Sequence, residues 1–453
     1  MKKFIAFLLC LIFVLTAFAS CNSAPEEPDD IGENSPSKED TDPIVEPDPV
    51  VPEEPEYEEL DPMFLTAAKT YTDGGGAVLS AYPGEPVESY EGVCAFYEGE
   101  GFELYCENNF NNNLFSTYTN GSELAHVYWI EALNELNIVT SATGAENLPP
   151  KEITVEGDIP LSVTQLQQLP SETSGMSYVI QLSDGSFVIY DGGYASTCKE
   201  LCNTLNKLSE TDEIHIRAWL ITHSHDDHYS CLEAFHKQSR RYLKSLKIDY
   251  FLIAPINAAE AIPMDKDANY LATNIHYDSE LFEGSKVCYV HTGMSFNFCN
   301  LRMDILYTPN DLFIDGNTGY FNDTSIISRV YSNQPDSKDT LSMIFLGDAG
   351  VSVAERLMLY YGDFLRTDMC QISHHGVENF PLLAYRMIKA PVLFYPCNTS
   401  LYNLTNRDAE VRAALRESVI TKEILLRDNA RYTRYFNPEL NPEIDPDSKF
   451  PTE

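Results

Sequence analysis

The strand-like stretch from Ile214 to Ile221, apolar from Ala218 on, passes directly into Thr222-His223-Ser224-His225-Asp226-Asp227-His228. A strand that feeds straight into three histidines and two aspartates must deliver them in the loop at its end. Alternation along extended chain lets His223 and His225 point the same way. Asp227 and His228 fall where a helix is expected to begin, near Tyr229. Imidazole and carboxylate together hold a divalent ion such as Zn2+ and leave a position for water. Two pairs, His223 with His225 and Asp227 with His228, suggest two ions side by side.

The same strand–loop–helix order recurs downstream. Ser342 to Leu346 leads into Gly347-Asp348-Ala349-Gly350, then a helix near Ala354 to Tyr361. Gln371-Ile372 leads into Ser373-His374-His375-Gly376, then a helix near Leu382 to Ile388. Val392 to Tyr395 is a further strand and Asp408 to Arg416 a further helix. Upstream, Tyr178 to Leu182 and Phe187 to Tyr190 flank Ser183-Asp184-Gly185 and read as a tight hairpin. Asp191-Gly192-Gly193 and a helical stretch through Leu201, Leu205 and Leu208 follow. The pattern is α/β, with polar groups gathered where strands end. Five of the ten histidines lie in the two short motifs. His126, His215 and His236 are expected on the surface or in packing roles, and Asp226 as a carboxylate at a helix N-terminus.

His-x-His-x-Asp-His after an apolar strand resembles the hallmark of metallo-β-lactamase-like hydrolases. Asp191-Gly192-Gly193, Gly347-Asp348 and Ser373-His374-His375-Gly376 are similar to later landmarks of that family, in the same order. The resemblance covers roughly residues 174–435. It implies a four-layer αββα sandwich and two divalent ions, Zn2+ first, with Mn2+ or Fe2+ as other candidates. The implied ligands are His223, His225, Asp227, His228, Asp348 and His374, with Asp348 bridging both ions. Asp227 is expected to orient the attacking water, and His375 to face substrate, where it protonates the leaving group or contacts a phosphoryl oxygen. Asp191 is expected to bond the ligand loop.

Asn322-Asp323-Thr324-Ser325-Ile326, ahead of Gly347-Asp348 and His-His-Gly, resembles the hydrolase domain of the bacterial DNA-uptake channel (ComEC-like) family. It is also similar to secreted phosphorylcholine esterases. Many relatives carry Gly-His-Thr where this chain has Asn322 to Ser325, and the histidine there is the third ligand of the first ion. Asn322, His276 and His291 are the candidates to replace it, and Ser325 is a candidate either for substrate contact or for bonding a ligand from behind. The implied reaction is hydrolysis of a phosphoester. A thioester, lactone or β-lactam hydrolase, an iron-based redox member and a non-catalytic ligand-binding lipoprotein are the alternatives.

At 453 residues and 43 % hydrophobic, the chain is long enough for a large domain and a smaller one. The net charge of −39 opposes tight binding of nucleic acid. Lys2 and Lys3 precede an apolar run from Phe4 to Phe18, too short for a span and suited to a secretory signal. Phe18-Ala19-Ser20-Cys21 resembles a bacterial lipobox, which makes Cys21 a lipidation site. The expected organisation is a signal at 1–20, an acidic, Pro-rich tether at 21–60 and a small β-rich region at 61–170. The hydrolase domain follows at 171–440 and a flexible tail at 441–453. An extracytoplasmic, membrane-anchored lipoprotein would meet small-molecule or cell-envelope substrates.

Within 61–170, Val93 to Tyr97 and Phe102 to Cys106 read as two strands around Glu98 to Gly101. Val127 to Ile130 reads as another, continued by Glu131 to Leu133. Cys94 and Cys106 would flank that hairpin and could pair. Cys198 and Cys202 share a helix face and read as buried thiols. Setting aside Cys10 and Cys21, nine of the 11 cysteines remain, an odd number that cannot all pair in one chain.

Overall fold

Hydrophobic alternation in the strands is read out by two stacked sheets, as a computed structural model of the chain shows. The structure describes residues 58–442, apart from 152–153, 168, 170, 266–269, 317–319, 378–379, 405–408, 418–420, 422 and 427–430. The signal, Cys21, most of the tether and nearly all of the tail lie outside the described residues. The described residues form a single compact unit.

The first sheet holds β1 (Lys69–Thr72), β2 (Val78–Pro83), β3 (Glu103–Phe110), β4 (Asn113–Thr119), β5 (Leu124–Ile130) and β6 (Glu135–Ser141). Its order is β1-β2-β6-β5-β4-β3, antiparallel throughout. Helix α1 (Val87–Gly99) covers one face. The strand expected at Val93 to Tyr97 is therefore a helix. Its continuous apolar run fits either element, and the burial of Tyr90, Val93 and Tyr97 follows the helical period. Glu131 to Leu133 does not continue β5 but forms a 3-10 turn ended by Asn134 in the left-handed region. Cys94 sits on α1 and Cys106 on β3, both as free thiols.

The second sheet begins upstream of residue 171. It contains β7 (Ser162–Gln165), β8 (Ser177–Gln181), β9 (Phe187–Asp191), β10 (Glu213–Leu220), β11 (Ser245–Ile253) and β12 (Lys286–Tyr289). The third contains β13 (Ser295–Phe298), β14 (Leu301–Tyr307), β15 (Ile327–Ser332), β16 (Ser342–Phe345), β17 (Met369–Gln371), β18 (Val392–Tyr395) and β19 (Glu423–Leu426). Finally β20 (Tyr432–Tyr435) returns to pair with β7. Strands β9 to β12 run parallel, as do β16 to β19. Such pairs need crossover connections, and the helices supply them.

Alternate residues build the layers. Tyr178, Ile180, Val188 and Tyr190 face Met303, Ile305, Val330 and Phe345 between the sheets. Tyr190 stacks on Phe345 with centroids 3.8 Å apart. Val179, Ile189, Trp219 and Ile221 turn the other way, against α2 (Cys198–Leu208) and α3 (Asp226–Tyr242). Behind the third sheet, Ile344, Leu346 and Leu393 pack on α4 (Val351–Tyr361) and α5 (Leu382–Ile388). This is a four-layer αββα sandwich.

The other face of the first sheet packs on the sandwich. Phe115, Tyr128 and Val139 join Leu306, Tyr307 and Tyr361 in one core. Polar groups fix the register of that seam: Tyr128 Oη donates to Asp311 at 2.7 Å and Asn113 Nδ2 to the Tyr360 carbonyl at 2.7 Å.

Candidate metal centre

All the polar motifs meet at the end of the sandwich where β9, β10, β16 and β17 stop. The loop after β10 carries His223 and His225, and α3 starts at Asp226, earlier than Tyr229. His225 caps that helix in an extended conformation, with Asp226 exposed and Asp227 and His228 in its first turn. The turn after β16 carries Asp348, and the one after β17 carries His374 and His375.

Two clusters form. His223, His225 and Asp348 make one, and Asp227, His228 and His375 the other, with the donor atoms of each within 4.8 Å of one another. Asp348 stands between them. Its Oδ2 lies 3.2 Å from His228 Nε2, 3.4 Å from His375 Nε2 and 3.9 Å from His223 Nε2. His375 Nε2 is also 2.9 Å from Asp227 Oδ2. His223 Nε2 and His225 Nδ1 face each other at 2.9 Å.

These atoms fit divalent ions on one observation above the rest. His228 Nε2 and His375 Nε2 are buried without a properly aligned hydrogen bond despite their short contacts to Asp348 Oδ2, and the other oxygen of that carboxylate, Oδ1, is buried with no hydrogen-bond partner. Buried polar atoms are ordinarily paired. Polar atoms that converge on one region, yet are misaligned with each other, form the arrangement that a shared divalent ion would need.

Supporting contacts aim the rings. Asp191 Oδ2 accepts from His228 Nδ1 at 2.8 Å, which turns Nε2 inward. The same carboxylate accepts from the Thr222 amide at 2.7 Å and the Thr222 hydroxyl at 2.8 Å, pinning the start of the histidine loop. Asp191 does this at φ 51°, a conformation costly for a non-glycine residue. The Pro396 carbonyl, 3.0 Å from His375 Nδ1, plays the same part for His375. Ser325 Oγ accepts from the Asp348 amide at 3.0 Å and lies 3.3 Å from His223 Nδ1. Ser325 is fully buried, so it supports these side chains from behind, out of substrate's reach. Gly347 lets it approach: a Cβ there would sit 2.7 Å from Ser325 Oγ, at φ +51°.

Electrostatics are dominated by the two carboxylates. Burial alone would raise Asp348, but His228, His375 and His374 outweigh it and hold the carboxyl well below its usual range. Asp227 is lowered against burial chiefly by His375 and His228. Burial opposes charge on His375, yet Asp348 and Asp227 push it up to about 10. His223, buried beside His228 and His225, is pushed well below its ordinary value. The site thus attracts positive charge around Asp348 while keeping His223 neutral, the form that binds metal.

The placement of the histidine pair differs from expectation. His375, expected to face substrate, is buried within the second cluster. His374, expected as the ligand, belongs to neither cluster. Its Nε2 is 3.9 Å from Asp348 Oδ2, and its side chain is 19 % exposed. The two residues occupy consecutive left-handed conformations, φ 46° and 53°, so the chain turns sharply and sends the rings apart. Residue order alone does not reveal which ring goes inward.

His276 and His291 do not reach the first cluster. His276 Nε2 pairs with Tyr289 Oη at 2.9 Å, and His291 is buried against His126. Asn322 lies closer, on a 3-10 turn beside His374. Its Nδ2 is 2.7 Å from Tyr320 Oη and 3.3 Å from His374 Nε2, and its Oδ1 is buried without a partner. Three further contributors carry no sequence signal: Ser174, whose hydroxyl donates to Asp227 Oδ2 at 3.3 Å, Tyr320, 3.3 Å from His374 Nδ1, and Phe321, whose ring lies 4.9 Å from that of His225.

Residues 171–240 match the family model described as the Metallo-beta-lactamase superfamily. Among solved structures, the metallo-beta-lactamase fold protein YhfI from Bacillus subtilis is similar at 12 % identity, covering 61 % of this chain and 100 % of that one, with a TM-score of 0.35. A diphosphatase from the PhnP family is similar at 13 % identity, with 60 % and 97 % covered and a TM-score of 0.37. Igni18, a metallo hydrolase from the archaeon Ignicoccus hospitalis, is similar at 13 %, with 60 % and 98 % covered and a TM-score of 0.35. No curated protein matches. The fold is thus a four-layer αββα sandwich of the metallo-β-lactamase type, and residues 171–240, which carry the histidine loop, match that superfamily.

Proposed function

We propose that this chain is a metal-dependent hydrolase acting on a phosphoester. The observation that carries the reading is the set of orphaned buried donors around Asp348. His223, His225 and Asp348 would hold one ion, and Asp227, His228, His375 and Asp348 the other. When bound, two such ions supply Lewis acidity and lower the pKa of water toward about 7.

The chain's own groups do the rest. Asp348 sets the spacing between the two ligand sets. Asp227, fixed by the Ser174 hydroxyl, presents a carboxylate oxygen that can accept a proton from water. His374, Tyr320 and Asn322 gather polar hydrogens beside Asp348 outside both ligand sets. A phosphoryl group needs such donors for oxygens that the ions do not take, and a carbonyl substrate needs fewer. The motif resemblance around Asn322 to Ile326 supports the same choice.

The lipobox-like Cys21 and the acidic tether support an extracytoplasmic, lipid-anchored location with envelope or extracellular substrates. The decisive test is a substrate panel. Turnover of bis-p-nitrophenyl phosphate without turnover of nitrocefin is the expected result. Turnover of nitrocefin or a thioester alone would overturn the phosphoester assignment.

A further inference from the structure

Two thiols that no part of the proposed chemistry uses lie under the metal centre. Cys198 opens α2, and Cys231 lies on α3 one turn beyond His228. Both are fully buried. Their sulfurs are 2.8 Å apart, and Cys198 Sγ is 2.9 Å from the Cys231 carbonyl. A disulfide bond is about 2.05 Å long, so only a small motion separates the pair from bonding. Cys202, one turn along α2 on the same face, is the competing neighbour.

We infer that Cys198 and Cys231 form a disulfide that braces the Asp191–Gly193 turn against α3. Cys231 packs directly on that turn. A Cβ placed on Gly192 would stand 2.8 Å from Cys231 Cβ and 3.4 Å from its sulfur. The Cys231 amide donates to the Gly193 carbonyl at 2.9 Å, and the Gly192 amide to the His228 carbonyl at 2.7 Å. On the other side, Thr197, immediately before Cys198, reaches within 2.8 Å of where a Gly193 Cβ would be. The bond therefore joins the segments on either side of the turn whose Asp191 holds both His228 and Thr222.

The chemistry balances by thiol–disulfide exchange. The two thiols give up two protons and two electrons as the sulfur–sulfur bond forms, and a small-molecule disulfide is reduced to two thiols. Burial pushes the Cys231 thiol well up and slows its ionisation in the folded protein. The bond therefore forms while the chain folds and then persists.

The test uses the full chain, purified without reductant. It is denatured, labelled with a maleimide and digested. The expected result is a cross-linked peptide joining Cys198 to Cys231, with neither residue labelled until a phosphine reductant is added. Reduction should lower Tm by roughly 5 °C. It should also raise chelator-driven metal loss roughly ten-fold. The doubly substituted C198A/C231A chain should ignore the reductant on both counts. Labelling of both thiols without reductant would overturn the inference, as would a Cys202–Cys231 link. Peptide mapping reads wild-type protein and does not depend on the variant folding or on any substrate.

Discussion

Two groups of buried histidines in this molecule have opposite characters. At the candidate metal centre, His223, His228 and His375 surround Asp348 and Asp227, and nitrogens of His228 and His375 are left without aligned partners. At the seam between the first sheet and the sandwich, His126 and His291 stack with ring centroids 6.0 Å apart. There His126 is satisfied, by Thr117 at 2.8 Å and by the Thr292 carbonyl at 2.8 Å, while His291 Nδ1 is buried without a hydrogen-bond partner, so an orphaned nitrogen alone does not separate the two groups. The carboxylate nearby, Asp311, is bonded by Tyr128 and Thr292 instead of an imidazole. Burial with no carboxylate bonded to an imidazole keeps the seam rings neutral, pushed down to about 3 for His126, by burial and then by His291, and to about 4 for His291, by burial. The presence of buried histidine does not by itself mark a metal site. What marks it is buried carboxylate with donors that converge on a common region.

The sharpest way to break that comparison is to remove the shared carboxylate. Asp348→Ala should cut hydrolysis by about 10^3-fold or more, since both ligand sets lose a member. Steady-state rates on the phosphoester substrate check this, and His291→Gln should leave them near wild type. A smaller effect is expected one contact further out. Asp191→Asn should weaken metal binding by roughly 10–100-fold through the His228 ring. Competition with a chromogenic chelator reads it, and unchanged affinity would mean the ring orients without Asp191.

The seam should show its character in acid. Folded His126 and His291 bind protons less readily than they do unfolded, where the value is near 6.5. Below that value the unfolded chain takes up protons that the folded chain refuses, so ν_U exceeds ν_N and stability falls as pH falls. Their contribution is intact above about pH 6.5 and is lost progressively toward pH 4 and 3. Denaturant melts of metal-free protein across that range should show the loss, reduced in His291→Gln.

Much of this was readable in the chain because strand–loop–helix units place their polar residues at strand ends. The hairpin at β8 and β9, the helix at Leu382 to Ile388 and the strand at Val392 to Tyr395 follow from short-range patterning. The loop after β10 brings His223, His225, Asp227 and His228 together in the same way. What stayed hidden depends on tertiary direction. The Val93 to Tyr97 run satisfies either period, and α1 wins because its buried face repeats every three to four residues. His374 and His375 are chemically identical neighbours, separated only by backbone torsions. Tyr320 and Ser174 come from loops far apart in the chain and carry no pattern of their own.

The most direct test is to count metal ions per chain in the wild-type protein and in the two single variants of the histidine pair. Elemental analysis after equilibration with Zn2+ should give two ions for wild type, two for His374→Ala and fewer than two for His375→Ala. An unchanged count in His375→Ala, or the loss of an ion in His374→Ala alone, would contradict the arrangement around Asp348.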